Sequence, residues 1–333
     1  MFEIKTWCIV YENITRIILC TLYFLLLFFS YVTISHAEEK KLDEQLIFAT
    51  LRGDDSVFSL STQELWTAGQ DMVYLDITKD GKTVLATSGG NNQTYVFNST
   101  NGKILSIVDV GKIPRGIKVS PDSTLAIVAN EGSNSVSFID IPNKKTINEV
   151  QIGAIPHNIV FSVDGKIAYV TLQGENKIAV LNVTSMTKIG EFAAGKNPHN
   201  LDISPDGKIL FVANIGGNDI SVINLTSQKI IENISVSLGH HGIDVSPDGK
   251  LVYVAGIGSD KVIVIDTSNF KVIKEIIVGK GPHGVRASED NSMIYVAVTT
   301  TDELIVIDTD NFEIIDRMPI GKMPFWLAVK GNS

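Results

Sequence analysis

The residues best suited to chemistry in this chain are histidines set at one constant interval. His157, His199, His241 and His283 are each 42 residues apart, and the same interval leads back to Arg115 and Val73 and on to Phe325. His240 directly precedes His241, so every histidine after residue 37 occupies one position or its neighbour. Neutral imidazole suits copper, zinc or iron. His157, His199, His241 and His283 are therefore candidate ligands for copper or zinc, if the fold gathers them. Together with Arg115, Phe325 and Trp326 they are also candidate contacts for an anionic or aromatic ligand. A third reading is structural: each imidazole hydrogen-bonds the backbone of a neighbouring unit and fixes the start of its own.

All three readings need elements that repeat with the histidines. Asp80, Asp122, Asp164, Asp206, Asp248 and Asp290 follow the same interval, and the next step lands on Asn332. Around them recurs a Ser-Pro-Asp-Gly phrase, complete at 204–207 and 246–249. Pro presets φ and Gly accepts a positive φ, so the phrase reads as a tight turn. In the third unit, β-branched and aromatic runs predict strands over 157–162, 167–171, 178–182 and 188–192. Four strands in a unit of about 40 residues is the signature of a β-propeller blade. A two-strand-per-repeat solenoid would use shorter repeats and would not need its ends to meet. Here they are complementary. The last unit supplies one strand, 324–329, and residues 46–50, 57–60 and 64–67 supply the other three. The expectation is an all-β, seven-bladed propeller over 38–333, closed by one C-terminal and three N-terminal strands.

That architecture places the histidine position at the start of the innermost strand, so the four histidines form an arc around one mouth of the central channel. The loops between second and third strands emerge on the same face. The ring is asymmetric, with Met72, Tyr74, Phe325 and Trp326 forming an aromatic wall opposite the polar arc. Three residues further along the inner strands stand Asp76, Lys118, Asp202, Asp244 and Arg286. Charges at that depth are expected to face a water-filled channel or to pair across it.

The repeated phrase resembles the YVTN-type propeller repeat of archaeal surface-layer and bacterial periplasmic proteins. The resemblance rests on Gly195-Lys-Asn-Pro-His199, Ser204-Pro-Asp-Gly-Lys208, Phe211-Val-Ala-Asn214 and Ile220-Ser-Val-Ile-Asn224, and covers residues 46–333. Tyr295-Val-Ala-Val298 has lost the Asn. The resemblance implies a scaffold rather than an activity. The wider propeller class includes the haem d1 domain of cytochrome cd1 nitrite reductase, the copper-binding propeller of nitrous oxide reductase, and the heavy subunit of methylamine dehydrogenase. It also includes lactonase- and lyase-like enzymes that use a metal or histidine at the channel mouth.

The first 37 residues have a different character. A flank with Lys5 and Arg16 precedes an apolar run over 17–34, and Ser35-His36-Ala37 follows. This pattern predicts a signal peptide or, since the run is long enough to span a bilayer, a membrane anchor. The propeller is accordingly expected outside the cytoplasm: periplasmic, cell-surface or secreted. Both cysteines, Cys8 and Cys20, lie in this segment, so the propeller is expected to rely on packing without disulfides. A net charge of −9 disfavours nucleic acid as a partner. No G-x-S-x-G elbow, phosphate loop or H-E-x-x-H motif occurs. The leading expectation is a non-catalytic binding or scaffold module, taking a protein partner or small ligand on the face of the arc. A metal- or cofactor-binding redox accessory and a lactonase- or lyase-like enzyme are the alternatives.

Overall fold

Short β-branched runs punctuated by Asx and Gly turns leave the chain few options beyond antiparallel hairpins. The computed structural model describes residues 45–236 and 239–332, the side chains of His240 and His241 excepted. The expected leader, the apolar run 17–34 and both cysteines lie outside the described residues. The rest forms seven four-stranded antiparallel sheets. Their strands are numbered in chain order, and in the third blade they are β12 (Pro156–Phe161), β13 (Ile167–Leu172), β14 (Lys177–Asn182) and β15 (Thr187–Ala193). Each lies within one residue of its expected bounds. Among the described residues no helix is long and apolar enough to cross a membrane.

The ends close as expected. The seventh sheet runs β28 (Pro324–Val329), β1 (Ile47–Leu51), β2 (Ser56–Ser59), β3 (Glu64–Thr67). Ile47 opposes Val329 and Ala49 opposes Leu327. Phe48, Trp66 and Phe97 then stack across the seam to the first blade, with ring centroids 5.3 and 5.6 Å apart. Closure removes free inner edges, which would otherwise recruit other strands.

Blades hold to one another by burying both faces of their middle strands. β14 is buried through its centre, whereas β15 at the rim is largely exposed. Ile127 and Phe138 of the second blade share one core with Ile159 and Val170 of the third. Each such side chain contributes about 1.5–3 kcal/mol on burial. The repeated aspartates are turn formers. Asp206 Oδ1 accepts the Ser204 hydroxyl at 2.7 Å and the Lys208 N–H at 3.1 Å, with Gly207 at φ 71°.

The charged inner-strand residues pair as expected, but between adjacent blades and not across the channel. Asp76 and Asp244 are buried and reach sideways, accepting the N–H of Val119 at 2.8 Å and of Ala287 at 2.7 Å on the next blade. Asp202 does the same with Val245 at 2.7 Å. Charge pairs run between adjacent blades, Arg286 to Asp244 at 2.9 Å and Lys118 to Asp76 at 3.9 Å. A carboxylate at this depth is kept because it pairs an otherwise orphaned N–H, so it clasps blades instead of lining a through-channel.

Candidate functional site

Each innermost strand slips register just after it begins. The irregularity falls between Pro156 and Ile159 in β12, between Pro198 and Leu201 in β16 (Pro198–Ile203), and at the equivalent place in the other five blades. A bulge re-aims consecutive side chains toward one side, and the histidine position lies inside it. A threonine hydroxyl stitches three of these bulges. Thr171 accepts the Asn158 N–H at 2.9 Å and donates to the His199 carbonyl of the next blade at 2.8 Å. Thr87 and Thr50 make the same bridge to Tyr74 and Arg115 and to Trp326 and Val73.

The residue after the histidine position proves as informative as the histidines. Across the seven blades it reads Tyr74, Gly116, Asn158, Asn200, Gly242, Gly284 and Trp326. At Gly242 a Cβ would lie 2.3 Å from the His283 carbonyl, so the backbones of adjacent blades meet there. The four large members fill the axis instead. Tyr74, 1% exposed, extends from the first blade to within 3.0 Å of His157 Nε2 and 3.5 Å of Asn200 Oδ1. Asn158 donates to Asn200, and Trp326 packs on Tyr74 at 4.6 Å between centroids. Arg286 caps Trp326 from the far side at 4.8 Å. The channel is therefore plugged at mid-height, and each mouth is a blind bowl.

The upper bowl, at the end where each unit begins, has a volume near 260 Å³. Its walls are Arg52, Arg115, Glu131, His157, His199, Ile257, His283 and Phe325. His157 and His199 lie ring on ring at 3.8 Å, and His283 lies on Phe325 at 3.6 Å. His283 Nδ1 donates to the Phe325 carbonyl at 2.9 Å, a clasp to the next blade of the kind the structural reading anticipates. Trp326, expected at the rim, is 3% exposed and sits one layer down in the plug; Met72 is buried within the blade core. The His241 side chain lies outside the described residues.

The rim is an alternating charge chain. Arg115 Nε donates to Glu131 at 2.8 Å, its Nη1 lies 3.5 Å from Asp71, and Asp71 also pairs with Arg52. Arg52 stands over the Phe325 ring at 5.4 Å. His157 and then Arg115 hold the Glu131 carboxyl down at about 2. Because His157 Nδ1 stands 3.7 Å from that carboxylate, beyond a hydrogen bond, we assign Arg115 the larger share. Burial pushes His157 below the ordinary imidazole range and Tyr74 above the ordinary phenol range, so both are neutral at pH 7.

Arg52, Asp71 and Glu131 were not singled out from the sequence. Arg52 and Glu131 occupy one repeat position, nine residues after the turn aspartate, that elsewhere holds Gly89, Gln173, Ile215, Ile257 and Thr299. Aligning the second-to-third-strand loops would have exposed them. As for metal, no group of three or more His, Cys, Asp or Glu is placed to hold an ion among the described residues. Of the four candidate copper or zinc ligands, His157 and His199 lie together and His283 packs on Phe325, while the side chain of His241 lies outside the described residues.

With this geometry the class is plain: a seven-bladed β-propeller with a plugged axis and two blind mouths. The family profile of YNCE-like beta-propellers matches residues 202–293, and that of the seven-bladed lactonase propeller matches 145–230. The fold is thus a seven-bladed propeller, part of which matches YncE-like repeats, in line with the resemblance. No curated protein matches its sequence. Among solved structures it is similar to Kuenenia stuttgartiensis hydrazine synthase, with a TM-score of 0.73 and 23% identity over 80% of this chain and 92% of that one. It is also similar to a functionally unknown protein from Desulfotomaculum acetoxidans, at 0.74 and 18%, over 87% of this chain and 100% of that one. The dihydro-heme d1 dehydrogenase NirN in complex with DHE matches at 0.66 and 16%, over 87% and 76%. At such identities the likeness is one of fold.

Proposed function

We propose that this protein is an exported, non-catalytic binding module whose upper bowl takes a small planar carboxylate, such as an aromatic acid. The observation that carries this reading is the blind bowl itself. It has a π-rich floor of Phe325, His157, His199 and His283 beneath two part-exposed guanidiniums, Arg52 and Arg115. A flat ring stacks on such a floor, and arginine presents a planar fork to a carboxylate. The guanidiniums keep unused donors after pairing with Asp71 and Glu131, since each carries five N–H groups. A volume near 260 Å³ is at the lower limit of ligand pockets, about 300–1,000 Å³, and suits a one-ring acid better than a macrocycle.

Export is supported by the apolar run 17–34 followed by Ser35-His36-Ala37. The net charge of −9 argues against nucleic acid as a partner. A haem-handling role like that in the name of NirN, or a lactonase-like hydrolysis, lacks an axial ligand set or an activated nucleophile at the described mouth. Tyr74, whose hydroxyl stands 3.0 Å from His157 Nε2, is held neutral by burial. A protein partner on the same face is the second reading. It is favoured by Ile113, Ile155 and Met323, which stand 41%, 40% and 43% exposed in the loops leading into the inner strands.

Calorimetric titration with benzoate tests the primary reading. Benzoate should bind one-to-one, benzyl alcohol at least about tenfold more weakly, and Arg52→Gln with Arg115→Gln should remove binding. Benzoate affinity unchanged in the double variant, or no binding at millimolar benzoate, would contradict it.

A further inference from the structure

The opposite mouth is a second bowl, with a volume near 320 Å³. It is bounded by the inner strands β8 (Pro114–Val119), β12, β16 and β20 (His240–Val245) and by Asn332 at the chain's end. Asn332 is pinned there by hydrogen bonds to Asp244 and to the Ala287 carbonyl, each 2.8 Å. The plug separates this bowl from the upper one, so whatever it holds is independent of the upper ligand.

Its charges are incompletely matched, unlike those elsewhere in the inner ring. Arg286 and Asp244 satisfy one another at 2.9 Å. Lys118, with only 13% of its side chain exposed, has a long ion pair to Asp76 at 3.9 Å and no acceptor within hydrogen-bond distance among the described residues. Asp202 accepts two backbone N–H groups, from Ile203 and Val245, but has no cation within ion-pair distance among the described residues. Its charge bears on Asp244 as well, helping to disfavour ionisation there. An ammonium group near Asp202 would relieve that repulsion, and a carboxylate at Lys118 would complete an ammonium that is nearly out of water. The apolar part of the lining that is open to a ligand is Val163, 57% exposed, whereas Val119, Val160 and Phe161 are buried in the cores between blades.

We propose that the lower mouth is a binding site for a small zwitterion, a free α-amino acid with an apolar side chain. Its carboxylate sits on Lys118, its ammonium on Asp202, and its side chain against the exposed Val163. Spatially separated and opposite charges beside an apolar contact discriminate for a molecule that carries both charges, because a ligand with one leaves the other pole unmatched.

The test uses the intact protein and L-leucine as probe, with 4-methylpentanoate and isopentylamine as the two half-ligands. Leucine should raise the melting temperature progressively, roughly with the logarithm of its concentration, and bind in calorimetry. Each half-ligand should bind at least about tenfold more weakly. Lys118→Met should abolish leucine binding while leaving benzoate binding at the upper mouth unchanged. Asp202→Asn, which keeps an acceptor for the Val245 N–H, should weaken leucine by at least about tenfold. Leucine that neither binds nor stabilises at millimolar concentration overturns the proposal. So does a leucine affinity that 4-methylpentanoate or isopentylamine equals, or that Lys118→Met leaves intact. Benzoate results bear only on the upper bowl, so the two readings fail separately.

Discussion

Tyr74 shows how much one side chain can decide in a ring of near-equivalents. Its hydroxyl reaches from the first blade to His157 on the third and Asn200 on the fourth, tying blades that do not touch as sheets. Tyr74→Phe should cost about 1–3 kcal/mol in a denaturant melt, because it leaves buried polar atoms short of a partner. It should also change the titration of His157. Burial lowers the folded-state pKa of His157, so between its ordinary value near 6.5 and the lowered one the unfolded chain binds more protons. Stability therefore falls as pH drops below 6.5. Glu131 acts in the same direction over a lower range. Its contribution is complete above 4.5 and is lost as pH falls toward about 2. NMR titration of the two groups checks both signs: His157 should stay neutral through pH 6.5 and Glu131 ionised through pH 4.

At the scale of elements, the bulge and the turn that precedes it form the device that aims residues at the mouth. Thr171→Val keeps the shape but strands the Asn158 N–H and the His199 carbonyl, and should destabilise by about 1–3 kcal/mol. Two residues before the histidine position, every described blade places a residue at positive φ: Asp71, Ile113, Ile155, Asn197, Gly281 and Met323 among them. Left-handed backbone suits Gly, Asn and Asp but crowds a β-branched side chain by about 1–2 kcal/mol. Ile155→Asn, which copies Asn197 of the next blade, should therefore raise the melting temperature. An isoleucine held there at such a cost, and exposed, agrees with a surface kept for contact.

These devices also mark the limit of what the sequence discloses. The histidine arc, Arg115 and Phe325 were legible because one interval aligned them. The bulge was not, since periodicity gives a strand's phase but not a local slip that turns two successive side chains the same way. The reading of the inner-strand charges was incomplete for the same reason: Lys118, Asp202 and Asp244 do line the lower mouth, but alternation does not show that Asp76 and Asp244 each reach a neighbouring blade's N–H.

For the whole molecule, closure is the property from which the rest follows. The count of seven and the one-plus-three seventh blade were readable from the repeat, because both ends carried complementary parts of one unit. Deleting residues 324–333 removes the inner strand of that blade, the Phe325 floor, the Trp326 half of the plug and Asn332. The truncated chain should lose its cooperative melt; a transition like that of the intact protein would contradict the closure. The plug makes two bowls of one channel, and the proposed function rests on the upper one. Its most direct test is a crystal structure of the full propeller with benzoate. The account predicts the ring stacked over Phe325 with its carboxylate between Arg52 and Arg115. An empty upper bowl, or benzoate bound anywhere else on the molecule, would contradict it.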